Sequence, residues 1–414
     1  MQRSPGFYIA STLTFLLALL ALSGCGSSEK SSSTGNESPI SGAPRTVSES
    51  TALAPLIVTP REPAVPFKGS NGKYIASYEL QLLNPTPLTI TPTRVVISTP
   101  DGKSVETLTG KQVASAMALP GERSGVSELT ESQVVTLYLS PEFDSIDAIP
   151  DRLEHVVTVT APPLPDRGVP TEPIAVDVEK EVSPPVLGPP LEAGSGYLAA
   201  DSCCDSDRHR RALLPIDNNQ WLAQRFAVDW EQLDASGRTV RKGADATKSS
   251  NYTIYGKQAI AAADGTVESV VDGLPDQEPG ALPESSTLPE ADGNNVVIDL
   301  GGGFFMLYAH LKSGSLKVKQ GDKVKRGQPI GLVGNSGNTS APHLHFHVMD
   351  GPSALTSEGV PYVIDSFAIS GTLPSNEIFE ELENTSKVIP VEASPFDGAH
   401  TDEMPLNLNV VTFE

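Results

Sequence analysis

The sequence has few basic residues, few aromatic side chains and few cysteines. Its 414 residues include 29 lysines and arginines against 51 aspartates and glutamates, a formal net charge of -22. Nucleic-acid binding needs clusters of basic residues to neutralise phosphates, so this balance excludes nucleic acid as a partner. Aromatic residues make up only 6% of the chain, whereas 36 residues are proline. This composition predicts mostly β structure, in two or three domains joined by proline-rich segments.

One of the three cysteines, Cys25, follows an apolar run over residues 12–22. The run is short for a membrane span and is typical of a secretory signal. Residues 22–25 (LSGC) resemble the lipobox of bacterial lipoproteins. The resemblance implies that residues 1–24 are a signal peptide and that Cys25 carries a lipid anchor to the membrane. Gly26 favours the periplasmic face of the outer membrane in a Gram-negative host, whereas a Gram-positive host implies the outer face of the plasma membrane.

The other two cysteines, Cys203 and Cys204, are adjacent. In an oxidising compartment they would form a vicinal disulfide that stiffens the turn, or remain a pair of thiols. No neighbouring residue completes a sulfur-rich metal site. A structural role is therefore favoured over metal binding.

The rest of the chain divides into segments of different composition. Residues 25–50 are rich in Ser, Gly and charge, which predicts a flexible tether. Residues 51–161 hold short alternating strands and turns, which predict an immunoglobulin-like β-sandwich that serves as a spacer or docks a protein partner. Residues 162–195 predict a proline-rich linker. Residues 196–371 are dense in short strands, and residues 372–414 form a tail with one predicted helix and a final strand.

Three of the seven histidines lie in residues 341–348 (APHLHFHV). In an extended strand, His343, His345 and His347 project to one face, and the apolar residues between them project to the other. Imidazole is the commonest zinc ligand in proteins, and a catalytic zinc takes three protein ligands and leaves one position open. His310 lies in a comparable setting. The pattern predicts a zinc site on this strand.

This stretch is the last of four blocks that resemble, in order and spacing, the motifs of the lysostaphin-type (LytM) zinc endopeptidases: residues 255–267, 308–311, 318–328 and 334–346. The resemblance implies a LytM-type antiparallel β domain over residues 196–371. It also implies hydrolysis of peptide bonds in bacterial peptidoglycan, with Zn²⁺ held by His, Asp and His.

The resemblance assigns roles to single residues. His345 corresponds to a zinc ligand and Asp229 to the aspartate ligand, whereas His310 and His343 correspond to the two catalytic histidines. Zinc would polarise the scissile carbonyl and lower the pKa of water. One histidine would accept a proton while the other donates to the developing oxyanion, and the resemblance leaves open which does which.

The first zinc ligand is where the sequence departs from the family. The family has His-x-x-x-Asp, but residues 225–229 (RFAVD) place Arg225 in the position of the histidine. Arginine cannot bind zinc, so either the site is inactive or another residue supplies the ligand. Arg225 could instead bind a substrate carboxylate, or pair with acids such as Asp217 or Asp229.

His209 is the candidate replacement, on geometric grounds. Strands predicted over residues 210–216 and 220–230 would place His209 opposite Ala227 and on the same face as Asp229, about 7–8 Å away at the backbone. A register slip of one residue would undo this arrangement. The alternative is that His209 is an ordinary solvated residue.

Three further residues have weaker assignments. Asp205 and Asp207 are fallback oxygen ligands. His347 stands where the family commonly has glutamate, so it would hydrogen-bond a ligand or contact substrate, or be a plain strand residue.

The sequence therefore predicts a cell-envelope lipoprotein with a zinc metalloendopeptidase domain that acts on peptidoglycan peptides. The alternative is a catalytically inactive LytM-like protein that binds the wall or regulates a partner, which Arg225 favours. A third hypothesis is an adhesion or assembly lipoprotein in which the sandwich carries the function and the second domain is a scaffold.

Overall fold

The computed structural model describes these residues: 55–162, 164–204, 208–280, 282–283 and 287–414. The predicted signal peptide, Cys25 and the tether lie outside them, as do Asp205 and Asp207. Within the described residues, neither α-helix is long and apolar enough to cross a membrane.

Short antiparallel strands form the N-terminal half: β1 (Ile57–Pro60), β2 (Phe67–Lys68), β3 (Tyr74–Ile75), β4 (Tyr78–Leu83), β5 (Thr91–Ser98), β6 (Ser104–Thr109), β7 (Met117–Ala118), β8 (Val134–Leu139), β9 (Glu142–Phe143), β10 (Arg152–Thr160), β11 (Val169–Pro170) and β12 (Ile174–Asp177), with helix α1 (Lys111–Ser115) after β6. One sheet has the order β1-β4-β8-β7, and a second has the order β11-β10-β5-β6 with β12 also on β10. Alternate residues of both sheets, such as Leu80 and Val157, share one apolar core. The two sheets are therefore packed as a β-sandwich, called the sandwich below.

His155 lies in the core of the sandwich, on β10. Its Nδ1 lies 2.9 Å from the carbonyl oxygen of Ile174, and its Nε2 lies 2.7 Å from the hydroxyl of Tyr78. A carbonyl can only accept, so Nδ1 carries the proton and Nε2 accepts from the tyrosine. Burial lowers the pKa of His155 to about 4, against a weaker opposing effect of the bond to Ile174. The residue has a structural role.

The strands of the C-terminal half are β13 (Val186–Leu187), β14 (Gly194–Ala200), β15 (Leu214–Ile216), β16 (Asn219–Trp221), β17 (Val228–Gln232), β18 (Gln258–Ile260), β19 (Gly265–Val271), β20 (Asn294–Gly301), β21 (Phe304–Leu311), β22 (Lys323–Val324), β23 (Pro329–Leu332), β24 (Leu344–Met349), β25 (Gly359–Val360), β26 (Val363–Ile364), β27 (Phe367–Thr372), β28 (Gly398–His400) and β29 (Asn409–Phe413), with helix α2 (Asn376–Leu382). Most of them join one long sheet in the order β22-β19-β20-β21-β24-β17-β14-β29-β27-β28, with β25 on β24. The predicted mostly β fold is confirmed.

The predicted linker contains paired strands. β11 and β12 both pair with β10, and β13 pairs with β26 of the C-terminal half. The prediction of a spacer over residues 162–195 is wrong in this respect, because proline is tolerated at the ends and edges of sheets, where a missing N–H removes no ladder bond. The described residues all belong to one compact unit.

The predicted tail is also part of the sheet. β29 lies between β14 and β27, so residues 409–413 form an interior strand of the long sheet. Its apolar side chains at Val410, Val411 and Phe413 are buried. The predicted final strand is therefore confirmed, as is the helix, which is α2.

Candidate active site

Strand register brings two of the predicted ligands together. Asp229 on β17 pairs with His345 on β24, which in turn pairs with Ala309 on β21. Side chains directly opposite on adjacent strands project to the same face, with Cβ atoms about 4.5–5.5 Å apart. The alternate residues Leu344 and Phe346 lie in the apolar core, as the period-two pattern predicts.

His310 reaches this face through an irregularity in β21. In this stretch β21 has one residue more than its partner β20, and His310 has a φ of 59°. Regular alternation would turn the side chain to the face opposite that of Ala309, but a bulge with a left-handed residue turns it to the same face. The His310 ring therefore lies against the rings of His343 and His345, at centroid distances of 4.7 and 5.8 Å.

His209 lies in a turn, so the hairpin predicted for it is wrong. β15 and β16 span three residues each, and Ile216 pairs with Asn219. The register differs from the predicted one because Asp217 and Asn218 both have positive φ and alone form the turn. The strands end before they reach His209.

His209 nevertheless meets Asp229, by a different route. The chain leaves β14 after Ala200, which pairs with Asp229, and then folds back. Nδ1 of His209 lies 2.9 Å from the carbonyl oxygen of Asp201 and 3.2 Å from that of Ala227. Its Nε2 lies 3.3 Å from Oδ1 of Asp229.

Backbone carbonyls orient three of the imidazoles so that Nε2 faces the site. The Nδ1 atoms donate to Asp201 from His209 at 2.9 Å, to Ser336 from His310 at 2.8 Å, and to Ala341 from His343 at 2.8 Å. Nε2 of His343 lies 3.3 Å from Oδ1 of Asp229. His345 is turned the other way: its Nδ1 lies 2.9 Å from the same oxygen, and its Nε2 lies 2.8 Å from Nδ1 of His347. Asp229 Oδ1 is thus the centre of the cluster.

The half-buried Asp229 carboxylate shifts the pKa values of the histidines around it. Burial opposes the charged form of Asp229, but His209 and His343 outweigh this effect and hold its pKa well below the ordinary value. Burial likewise opposes charge on His209, but Asp229 raises the pKa of His209 to about 9, and it also raises that of His343. Burial lowers the pKa of His345 to about 4 and that of His310 well below its ordinary value.

The cluster offers two overlapping sets of metal donors. The ligand atoms of His209, Asp229 and His345 lie within 4.8 Å of one another, as do those of His310, His343 and His345. Two donors bonded to zinc at the tetrahedral angle lie roughly 3.3–3.5 Å apart, and Nε2 of His209 is 3.3 Å from Oδ1 of Asp229. Two nitrogens and one carboxylate oxygen are also a donor set that catalytic zinc uses. The residues present therefore fit a zinc ion.

Arg225 and His347 do not line the cavity that holds this cluster. Arg225 is buried and pairs with Oε2 of Glu79 at 3.2 Å and Oε2 of Glu358 at 3.1 Å, rather than with the predicted acids Asp217 or Asp229. His347 is fully buried, which is incompatible with a contact to substrate. Its bond to His345 places it behind that residue instead.

The cluster opens into a cavity of about 350 Å³. His209, Asp229, His310, His343 and His345 all contribute to its wall. Arg208 and Arg123 line it as well, and Arg123 comes from the sandwich. Neither arginine was predicted from the sequence, since no local motif relates residue 123 to a site formed by residues 209–345.

Residues 247–356 match the family model described as Peptidase family M23. The match includes His310, His343 and His345, and it leaves out the segment with His209, Arg225 and Asp229.

Two curated relatives come from Vibrio cholerae serotype O1. Peptidoglycan DD-endopeptidase ShyA is 47% identical over 57 residues, which are 14% of this chain and 13% of that protein. Peptidoglycan DD-endopeptidase ShyB is 44% identical over 57 residues, which are 14% of this chain and 13% of that protein. The chain thus matches only a small part of the length of these relatives. Among solved structures, the catalytic domain of lysostaphin from Staphylococcus simulans covers 40% of this chain and 88% of its own length, at 21% identity and a TM-score of 0.22.

Proposed function

We propose that this protein is a zinc metalloendopeptidase that hydrolyses peptide bonds of peptidoglycan, with residues 247–356, which match the model of peptidase family M23, as part of its LytM-type catalytic domain. The observation that carries the proposal is the meeting of His209, Asp229 and His345 around one point in a cavity whose wall also contains His310 and His343. The relatives named peptidoglycan DD-endopeptidases support the substrate class.

Zinc would be held by Nε2 of His209, Oδ1 of Asp229 and Nδ1 of His345. Bound there, the ion supplies Lewis-acid chemistry, polarising a carbonyl and making water more acidic. His310 and His343 hold their Nδ1 protons on backbone carbonyls, so each presents Nε2 to the cavity for proton exchange with the substrate. Their rings are 4.7 Å apart, so both atoms can serve the same bond.

His347 would support the ligand His345. A ligating His345 gives up the Nδ1 proton, and its Nε2 then donates to Nδ1 of His347 across the 2.8 Å contact. Partners of this kind fix the orientation and basicity of a metal-bound imidazole.

We further infer the location and the role of the N-terminal half from the sequence. The lipobox-like residues 22–25 support a lipid anchor at Cys25 and a place in the cell envelope, on the periplasmic face of the outer membrane in a Gram-negative host. The sandwich, which we infer to be immunoglobulin-like, would then stand between the anchor and the peptidase and could dock a protein partner.

The test uses the chain from residue 26, which includes every described residue. We expect one bound Zn²⁺ per chain and release of soluble fragments from purified sacculi. His343→Ala should retain the metal and lose the hydrolysis, because this side chain is assigned to proton exchange. His400→Ala is the matched control, since His400 lies far along the chain and bonds to Glu403 and Phe396. Metal-free protein that leaves sacculi intact would overturn the proposal.

The second candidate is a catalytically inactive LytM-like protein that binds the wall. One observation favours it: Arg225 stands where the family has its first histidine ligand. This candidate predicts binding to sacculi without hydrolysis, and with equal affinity in the presence and absence of zinc.

A further inference from the structure

The residue next to His209 is anchored in the sandwich. Arg210 is 5% exposed, and its Nε lies 3.1 Å from Oε1 of Glu79. The two terminal nitrogens of Arg210 donate to the hydroxyl of Ser140 at 2.8 Å and to the carbonyls of Tyr78 and Leu139 at 3.0 and 2.7 Å. These four acceptors belong to the sandwich, and a fifth, the carbonyl of Cys204 at 2.8 Å, belongs to the C-terminal half. The Arg210 guanidinium therefore joins the two halves.

Arg211, the next residue, is also bonded to the sandwich. Arg211 is 8% exposed and donates to the carbonyl oxygens of Arg123 and Ser115, each at 2.6 Å. These acceptors are also in the sandwich, and the side chain of Arg123 lines the cavity of the histidine cluster. Two consecutive arginines therefore hold the segment that carries His209.

Glu79 links Arg210 to Arg225, the residue that stands in the position of the family's first zinc ligand. It lies on β4 and is 0% exposed, although it is a carboxylate. Oε1 pairs with Arg210, and Oε2 pairs with Arg225 at 3.2 Å. One carboxylate of the sandwich thus binds both the arginine beside His209 and the arginine that stands in the family's ligand position.

The backbone of His209 has no strand to hold it. Residues 208–211 form turns, and the hairpin β15–β16 that follows is only three residues deep. A ligand on a turn needs its position fixed by side-chain bonds, because a displacement of about 0.5 Å already degrades a metal site. Bonds from Nδ1 to the carbonyls of Asp201 and Ala227 hold the His209 ring, and the bonds of Arg210 and Arg211 to the sandwich hold the backbone that follows it.

We propose that the sandwich positions a ligand of the metal site. Arg210 and Arg211 are positioning residues that hold His209 against Asp229, and Glu79 fixes Arg210. The inference rests on the proposed zinc site. It assigns to the N-terminal half a role inside the active site, in addition to any role as a spacer.

Zinc affinity of the chain from residue 26, measured by competition with a chromophoric chelator, tests the proposal. Arg211→Ala should weaken zinc binding by about 10- to 100-fold, the usual effect of removing a group that orients a ligand. Its acceptors are carbonyls, so the substitution leaves no buried charge unpaired. Glu79→Gln, which keeps the shape of the side chain but loses its charge, should weaken binding in the same direction and serves if Arg211→Ala does not fold.

Arg61→Ala is the control for general loosening of the two halves. Arg61 of the sandwich donates to the carbonyl of Gln220 at 2.8 Å and pairs with Glu358 at 3.1 Å, so these two bonds join the halves at residues outside 208–211. In the chain of ion pairs, Glu358 leads to Glu79 through Arg225. We expect it to lower the melting temperature about as much as Arg211→Ala does, with wild-type zinc affinity.

Unchanged zinc affinity in both Arg211→Ala and Glu79→Gln would overturn the inference, as would an equal loss in Arg61→Ala. Either result leaves the proposed function standing if His345→Ala abolishes zinc binding. Failure of the wild-type protein to bind zinc would instead overturn the proposed function.

Discussion

Replacement of His209 by alanine is the sharpest test of how this chain compensates for Arg225. The change removes Nε2, which lies 3.3 Å from Oδ1 of Asp229, and leaves Asp229 and His345 as donors. Zinc sites with four protein ligands bind with about 10–16 kcal/mol. One ligand of four therefore accounts for about 2.5–4 kcal/mol, a factor of about 70 to 900 in affinity. We expect His209→Ala to lose zinc affinity by that factor.

The assay is chelator competition combined with metal analysis, at one fixed pH for all variants, because the raised pKa of His209 makes protons compete with the metal. Hydrolysis of sacculi should fall in parallel at limiting zinc and recover in part when zinc is added. His400→Ala should bind zinc as the wild type does, because its ring bonds Glu403 and Phe396. Wild-type affinity in a folded His209→Ala variant would refute the assignment, and the missing donor would then have to be sought at Asp205, Asp207 or His343.

The remaining predictions concern His347, Arg225 and His155. His347→Leu should weaken zinc binding by about 10- to 100-fold with little loss of fold, because Nε2 of His345 loses its partner; unchanged affinity would make His347 a plain core residue. Arg225→Met should lower the free energy of unfolding by about 3 kcal/mol in urea, since it leaves Glu79 buried with one cation fewer; an effect as small as that of the exposed control Arg152→Met would contradict this. His155 has a pKa near 4 when folded, so below pH 6.5 the unfolded chain takes up a proton that the folded chain does not. The wild type should therefore lose about 3 kcal/mol of stability between pH 6.5 and pH 4 that His155→Gln does not lose, and identical pH profiles would refute the role of burial.

The histidine strand was predictable because its signal is local. In β24, alternation alone separates His345 and His347 from Leu344, Phe346 and Val348, and a strand with one polar and one apolar face has few other ways to pack. Asp229 then pairs with His345 because β17 lies beside β24. Period-two patterns specify which face a side chain occupies wherever the strand is regular.

The same rule fails where the chain departs from regularity. Alternation would place His310 on the core face, and only the extra residue in β21 brings it to the site. His209 was expected beside Asp229 from a register that the structure does not have, since a turn of two residues replaced the predicted one. Its actual position depends on where the chain goes after β14, and short-range patterns carry no information about that.

The buried charges could not be predicted either. Glu79 lies in β4 between Tyr78 and Leu80, and all three residues are buried. In a sandwich with one solvated face, Glu79 would be exposed. It is buried because the segment with Arg210 and the turn with Arg225 cover that face, and both lie more than 130 residues further along the chain.

These contacts also explain how an arginine can occupy position 225 without placing a cation in the cavity of the histidine cluster. Buried guanidinium groups need paired carboxylates, and Arg225 finds Glu358 in its own half and Glu79 in the sandwich, with its side chain outside the cavity of the histidine cluster. A C-terminal half without the sandwich would lack Glu79 and would expose Arg210 and Arg211 as well. Arg225 and, through Arg210, the proposed ligand His209 therefore depend on the same carboxylate. With His209 as the first zinc ligand, as we propose, the arginine that suggests an inactive enzyme is one part of an arrangement that moves this ligand to another segment.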